Sequence, residues 1–155
     1  SGTITTPEYS ELLPWEYGFT QAGNPMACAA GLAMVEIMVR DDLPANSERI
    51  GTLMTDALKE IQRDSKLIGE VRGQGLMIGV ELVRDRETKE PAFEETDQLM
   101  AACLGHGLMI GKTGPVFGAN GNVAKFKPAV NVTEEDAMEM VELFGRALRD
   151  VEAAL

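Results

Sequence analysis

Three places in this 155-residue sequence carry residue types and spacings that could do chemistry. The stretch VAKFKP places Lys125 and Lys127 two residues apart. On a strand, that period points both ammonium groups to one face. Two cations on one face of an acidic protein suit an anion pocket, and they equally suit a solvated edge strand guarded by lysine. The stretch TQAGNP places Thr20 ahead of Asn24 and Pro25. A hydroxyl beside a helix start, with free N–H groups and the positive dipole end, can bind phosphate. The same residues also make an ordinary turn and cap. The third place is Arg72 in EVRGQGLMIG, which either binds an anion or sits in a structural ion pair.

Other patterns exclude chemistries. GLMIGKT imitates a phosphate loop, but Gly107 leaves three residues before the Gly-Lys-Thr end and Gly105 leaves five. That motif requires four, followed by a helix. GQGLMIG has the wrong glycine spacing for a dinucleotide fingerprint and runs into a strand, so it reads as a tight hairpin turn. No serine lies in a G-x-S-x-G elbow. His106, between Gly105 and Gly107, reads as an exposed turn residue without a partner that would make it a base. Cys28, Cys103 and His106 form no zinc spacing. No catalytic and no metal-ligating residue is therefore assigned within the chain.

The formal net charge of −11, with no basic run, excludes a nucleic-acid groove. Cys28 and Cys103 both lie in apolar, helix-like runs, which predicts two buried free thiols in a reducing compartment. TITTPEYSELL has neither a basic start nor a long apolar core, so no secretory signal is read there. The longest apolar run, Met26 to Val39, is too short for a bilayer and contains Glu36. A cytoplasmic protein is expected. The chain opens abruptly on strand-like Thr3, Ile4 and Thr5, as a segment whose preceding strand lies outside it would.

The elements that must position these residues follow from pattern. Asn24 caps, and Pro25 starts, a helix running to Arg40; it is apolar nearly all round and should be buried on most sides. A second helix is predicted over about 46–63, with Ile50, Leu53, Ala57, Leu58 and Ile61 on one face. Residues 67–73 and 76–83 read as two strands around a Gly-Gln-Gly turn. A helix over 93–104 is stopped by Gly105 and Gly107. Short strands follow at 108–111 and 123–127, separated by a glycine-rich loop. Thr133 starts a closing helix whose apolar face holds Met140, Leu143, Phe144, Ala147, Leu148 and Val151. The order predicts an α/β domain: a small, mainly antiparallel sheet covered by helices and preceded by a long helix.

Four of these stretches, in order, resemble one family. GFTQAGNPMACAAGLAMVEIM, IGEVRGQGLMIGVELVRDRETKEP, GLMIGKTG and GNVAKFKPAVNVTEEDAMEMVELF are similar to segments of class III aminotransferases of the ω-amino acid type. The resemblance covers nearly the whole chain. It implies a pyridoxal 5'-phosphate enzyme of fold type I. Residues 1–23 would end the large cofactor-binding domain, 24–40 would be the interdomain helix, and 41–155 the C-terminal small domain. The Schiff-base lysine, the Asp that pairs with the pyridine nitrogen and the aromatic residue stacked on the ring would all precede Ser1, so this chain alone would be inactive.

The resemblance also assigns residues. Thr20 matches the family threonine whose hydroxyl bonds the cofactor phosphate of the neighbouring subunit, implying a homodimer. Lys125 falls where many members place an arginine that grips the substrate carboxylate. Lysine there is a point charge without the bidentate fork. The Lys125-x-Lys127-Pro128 arrangement is similar to a phospho-lyase branch acting on amino-alcohol phosphates. Tyr17 stands where histidine is frequent. The implied activity moves an amino group from an ω- or α-amino donor to a keto acid such as pyruvate, glyoxylate or 2-oxoglutarate. The alternatives are a phospho-lyase of the same family and a catalytically silent dimerisation fragment.

Overall fold

A computed structural model of the chain describes residues 6–10, 23–114 and 121–155. It divides into two compact units, residues 1–42 and residues 43–155.

The first unit holds a short helix α1 (Pro7–Ser10) and the long helix α2 (Pro25–Arg40). Asn24 caps α2 as its residue type predicts: its side-chain oxygen accepts from the N–H groups of Met26 at 3.0 Å and Ala27 at 3.3 Å. Pro25, with no N–H to lose, takes the first helical position. The expected burial of α2 is not met, since none of its residues is buried. Composition shows that a surface is apolar; covering it takes a second surface, which the helix's own pattern cannot provide.

The second unit is built from α3 (Leu43–Asp64), β1 (Ile68–Gln74), β2 (Met77–Leu82), α4 (Phe93–Gly105), β3 (Gly111–Lys112), β4 (Val123–Phe126) and α5 (Glu134–Ala153). The four strands form one sheet in the order β1-β2-β4-β3, with every neighbouring pair antiparallel. The fold is thus the small antiparallel sheet with helices that the pattern predicts. Strand β3 falls three residues later than periodicity suggested, and Lys127 lies one residue beyond β4.

The β1–β2 hairpin turns through Gly75 and Leu76. Gly75 has φ +52°, the sign a type II′ turn needs at its first loop position. Alternation then sorts the sheet. Ile78, Val80, Leu82, Ala124 and Phe126 face a core completed by Ile50, Met54 and Leu58 of α3, Leu99 and Cys103 of α4, and the apolar stripe of α5. Met54 replaces the predicted Leu53 in the innermost row of α3. Phe126 and Phe144 meet edge to face at 5.3 Å, an arrangement adding about 1 kcal/mol beyond burial.

The helix ends are closed by specific bonds. Gly107 has φ +88° and ends α4: its N–H reaches the Leu104 carbonyl at 3.0 Å, and the Leu108 N–H reaches Cys103 at 2.8 Å. That pair of bonds is a Schellman closure. It directs the chain into the segment leading to β3. Thr133 caps α5 by accepting from the Asp136 N–H at 3.1 Å. Arg86 donates to the carbonyls of Gln62 at 2.6 Å and Ser65 at 2.5 Å, satisfying acceptors at the end of α3.

Candidate functional site

The three longer helices of the second unit share one core with one face of the sheet; the opposite face carries its polar residues. On that face the register aligns Arg72 of β1, Gly79 of β2, Lys125 of β4 and Gly111 of β3 in a single cross-strand row. The next row holds Glu70, Glu81 and Val123. Lys125 is half-buried and has a glycine on each side, so no neighbouring side chain in its row stands over it. A Cβ added at Gly111 would lie 3.9 Å from the Lys125 Cε.

Among the described residues Lys125 has no ion pair and no side-chain hydrogen bond. Arg72 is different. Its guanidinium donates to Glu81 at 2.5 Å and to Glu70 at 2.7 Å. The Glu81 hydrogen bond raises the arginine's pKa above its usual value. Of the two readings of Arg72, the ion pair is the one formed.

Lys125 and Lys127 line one cleft of about 250 Å³ at the β3–β4 end of the sheet, with Leu108, Met109, Pro128 and Met140. Lys125 belongs to the sheet face, and Lys127 lies exposed just past the strand. The spacing therefore does bring both to one cavity. A cleft lined by two lysines and apolar walls can bind a carboxylate or phosphate and orient its carbon skeleton.

Thr20 and Tyr17 lie outside the described residues. The start of α2 is described, and it is already occupied. Asn24 takes the first two available N–H groups, and Pro25 has none. The helix start itself is therefore a capped terminus, as one of the two readings held.

Several other sequence features resolve into structural roles. Lys112 lies on β3 and is ion-paired with Asp97, which removes the phosphate-loop imitation. His106 does have a partner: its Nε2 lies 2.6 Å from the Asp150 carboxylate, 44 residues later and across the α4–α5 contact. Short-range sequence reading could not find it. Both cysteines are free, but only Cys103 is buried; Cys28 is exposed on α2, correcting the expected pair of buried thiols. Burial pushes the Cys103 thiol up to about 11. Among the described residues no group of three or more metal-ligating side chains forms, and no helix is long and apolar enough to cross a membrane.

Sequence reasoning missed the buried polar residues Ser65, Glu95, Thr96 and Asn122. Glu95 lies in the first turn of α4 and accepts from Arg84 Nε at 2.7 Å. Burial raises the Glu95 pKa, yet the Arg84 hydrogen bond, a bond to its own backbone and the Arg84 charge outweigh this, so the net shift is downward. Asn122 is 1% exposed and donates to the Leu82 carbonyl at 2.8 Å, anchoring the entry to β4. A glutamate at the third helical position ahead of an apolar run was the available signal for Glu95. Asn122 had none beyond its place in a glycine-rich turn.

Comparisons with known proteins agree with this architecture. The family model described as Aminotransferase class-III matches residues 1–148. A leucine/methionine racemase of Thermococcus litoralis is 37% identical over 141 residues, which is 91% of this chain and 30% of that protein. The mitochondrial alanine–glyoxylate aminotransferase 2 of Homo sapiens is 35% identical over 151 residues, covering 96% of this chain and 29% of that protein. An aminotransferase structure from Bacillus anthracis matches with a TM-score of 0.83 and 32% identity, over 88% of this chain and 30% of the other. An amine transaminase from an uncultivated Pseudomonas species, in its PLP-bound form, matches with a TM-score of 0.78 and 29% identity, over 92% and 31%. The chain spans about 30% of the length of the curated relatives it matches.

Proposed function

The chain belongs to the class-III aminotransferase family, and on that premise we propose that the whole protein moves an amino group from an ω- or α-amino donor to a keto acid with pyridoxal 5'-phosphate. The observation that carries this reading to the level of residues is Lys125. Its ammonium is unpaired among the described residues, its row partners are Gly79 and Gly111, and the residue lines a cleft of about 250 Å³. Lys125 binds the substrate's anionic group, and the apolar cleft walls orient the rest of the molecule.

When bound, the cofactor supplies the electron sink for breaking bonds at the amino carbon. Its phosphate contact from this chain is proposed for Thr20, reaching the cofactor of a neighbouring subunit in a homodimer. The other contribution of the chain is substrate binding and exclusion of water on the open sheet face. Two free cysteines fit a reducing, cytoplasmic setting.

One observation favours a second reading. The relative from Thermococcus litoralis is described as a racemase, so proton exchange at the amino carbon without amino transfer is the competing reaction. The Lys125–Lys127 pair keeps a phospho-lyase as a third outcome. One panel separates them. The full-length protein is incubated with amino acids and ω-amines in the presence and absence of a keto acid. Amino-group transfer is expected. Racemisation without an acceptor, or release of inorganic phosphate from an amino-alcohol phosphate, would replace this reading.

A further inference from the structure

Resting on the reading that Lys125 receives the substrate's anion, we infer that Arg72 is a positioning residue which sequesters Glu81 and thereby keeps the Lys125 ammonium free.

The register creates a competition. Glu81 lies on β2, the strand between Arg72 and Lys125. Arg72 is directly opposite Gly79 on one side, and Lys125 is directly opposite Gly79 on the other. Glu81, two residues along the same strand and on the same face, is therefore diagonal to both cations. Diagonal partners on adjacent strands are roughly 7–8 Å apart at Cα, within reach of long side chains. One carboxylate has two cations to choose from.

The structure shows the choice. Arg72 holds Glu81 at 2.5 Å and also takes Glu70, while Lys125 takes neither. Arginine wins for a physical reason: its planar fork offers several donors at fixed angles, and lysine offers a point charge. Glu81 is the less exposed carboxylate, 26% against 58% for Glu70, so it is the one better placed to stay ordered. Were it released, the nearest free cation in the adjoining row would be Lys125. An ion pair there would occupy the site and cancel the charge that attracts an anion. Arg72 does not touch substrate; it acts through Glu81.

The test uses the full-length holoenzyme and steady-state kinetics with the best anionic substrate found. Arg72→Gln should raise KM by roughly threefold to fivefold, the scale of one competing surface ion pair, with kcat within about twofold. Removing the competitor as well, in the Arg72→Gln/Glu81→Gln double variant, should return KM to the wild-type value. Arg72→Lys should give an intermediate KM. If Arg72→Gln does not yield folded holoenzyme, Arg72→Met, which keeps the aliphatic stem over the sheet, takes its place. A loss of kcat that Glu81→Gln does not rescue would make Arg72 merely structural and overturn the inference. An unchanged KM in Arg72→Gln, with a raised KM in Lys125→Gln, would overturn it while leaving the Lys125 reading intact. An unchanged KM in Lys125→Gln would overturn both.

Discussion

Lys125 and Gly79 face each other directly across β4 and β2, so the residue opposite Lys125 in its row puts no side chain on the sheet face. A Cβ at Gly79 would lie 3.1 Å from the Val123 Cγ1, close enough to demand a small shift and no more. Gly79→Leu should therefore fold, because strands tolerate such a residue, and should still lose substrate affinity by filling the row. Matched measurements of thermal midpoint and KM on the full-length enzyme check this. A KM unchanged in Gly79→Leu would show that the open row is not where substrate sits.

A second glycine has a purely architectural task. A Cβ at Gly51 of α3 would lie 2.1 Å from the Gly75 carbonyl oxygen in the hairpin turn. The obstacle is backbone, which cannot rotate away. Ser47 binds the same turn through the Leu76 N–H at 3.3 Å, so helix and hairpin are locked at two points. Gly51→Ala should cost about 3 kcal/mol, the upper end for overpacking, in urea denaturation. Gly31→Ala in α2, with nothing within 4 Å of the added carbon, should cost nothing.

Glu95 gives a pH-dependent prediction. Its folded pKa lies below its usual 4.5: burial raises it, and the Arg84 hydrogen bond, the bond to its own backbone and the Arg84 charge together outweigh burial. A depressed carboxylate pKa contributes stability that is fully present above the unfolded value and lost as pH falls through the folded value. Glu95→Gln should thus lower the denaturation midpoint at pH 7. The difference from wild type should shrink as pH drops below about 4.5. Equal differences at pH 7 and pH 3 would contradict the ion pair.

The cysteines should separate cleanly. Cys28 is exposed, and Cys103 is wholly buried with its thiol pushed up to about 11. At pH 8 a thiol reagent should label one cysteine of the folded 155-residue chain quickly and the second only after denaturation. Peptide mapping should place the fast label on Cys28.

Much of the fold was legible because it rests on local rules. Asn24-Pro25 and Thr133 start helices by the bonds their side chains make, and Gly107 ends one by its positive φ. The hairpin was legible from its glycine turn. Strand β3 was not: with two residues and an edge position, it has too little periodicity to place. The site was half legible. Lys125 and Lys127 could be paired by spacing, but that Arg72 takes both Glu70 and Glu81 is settled between neighbouring strands, where spacing along one strand carries no signal. His106 with Asp150 and Arg84 with Glu95 were hidden for the same reason, since side-chain partners across elements leave no periodic trace.

The most direct measurement is KM for the anionic substrate in full-length Lys125→Gln and Lys125→Arg, read beside kcat. A charged hydrogen bond to substrate contributes roughly 10-fold to 100-fold in affinity. Lys125→Gln should raise KM by at least about tenfold while kcat falls less, and Lys125→Arg should stay near wild type. A Lys125→Gln enzyme with unchanged KM would contradict substrate binding by Lys125.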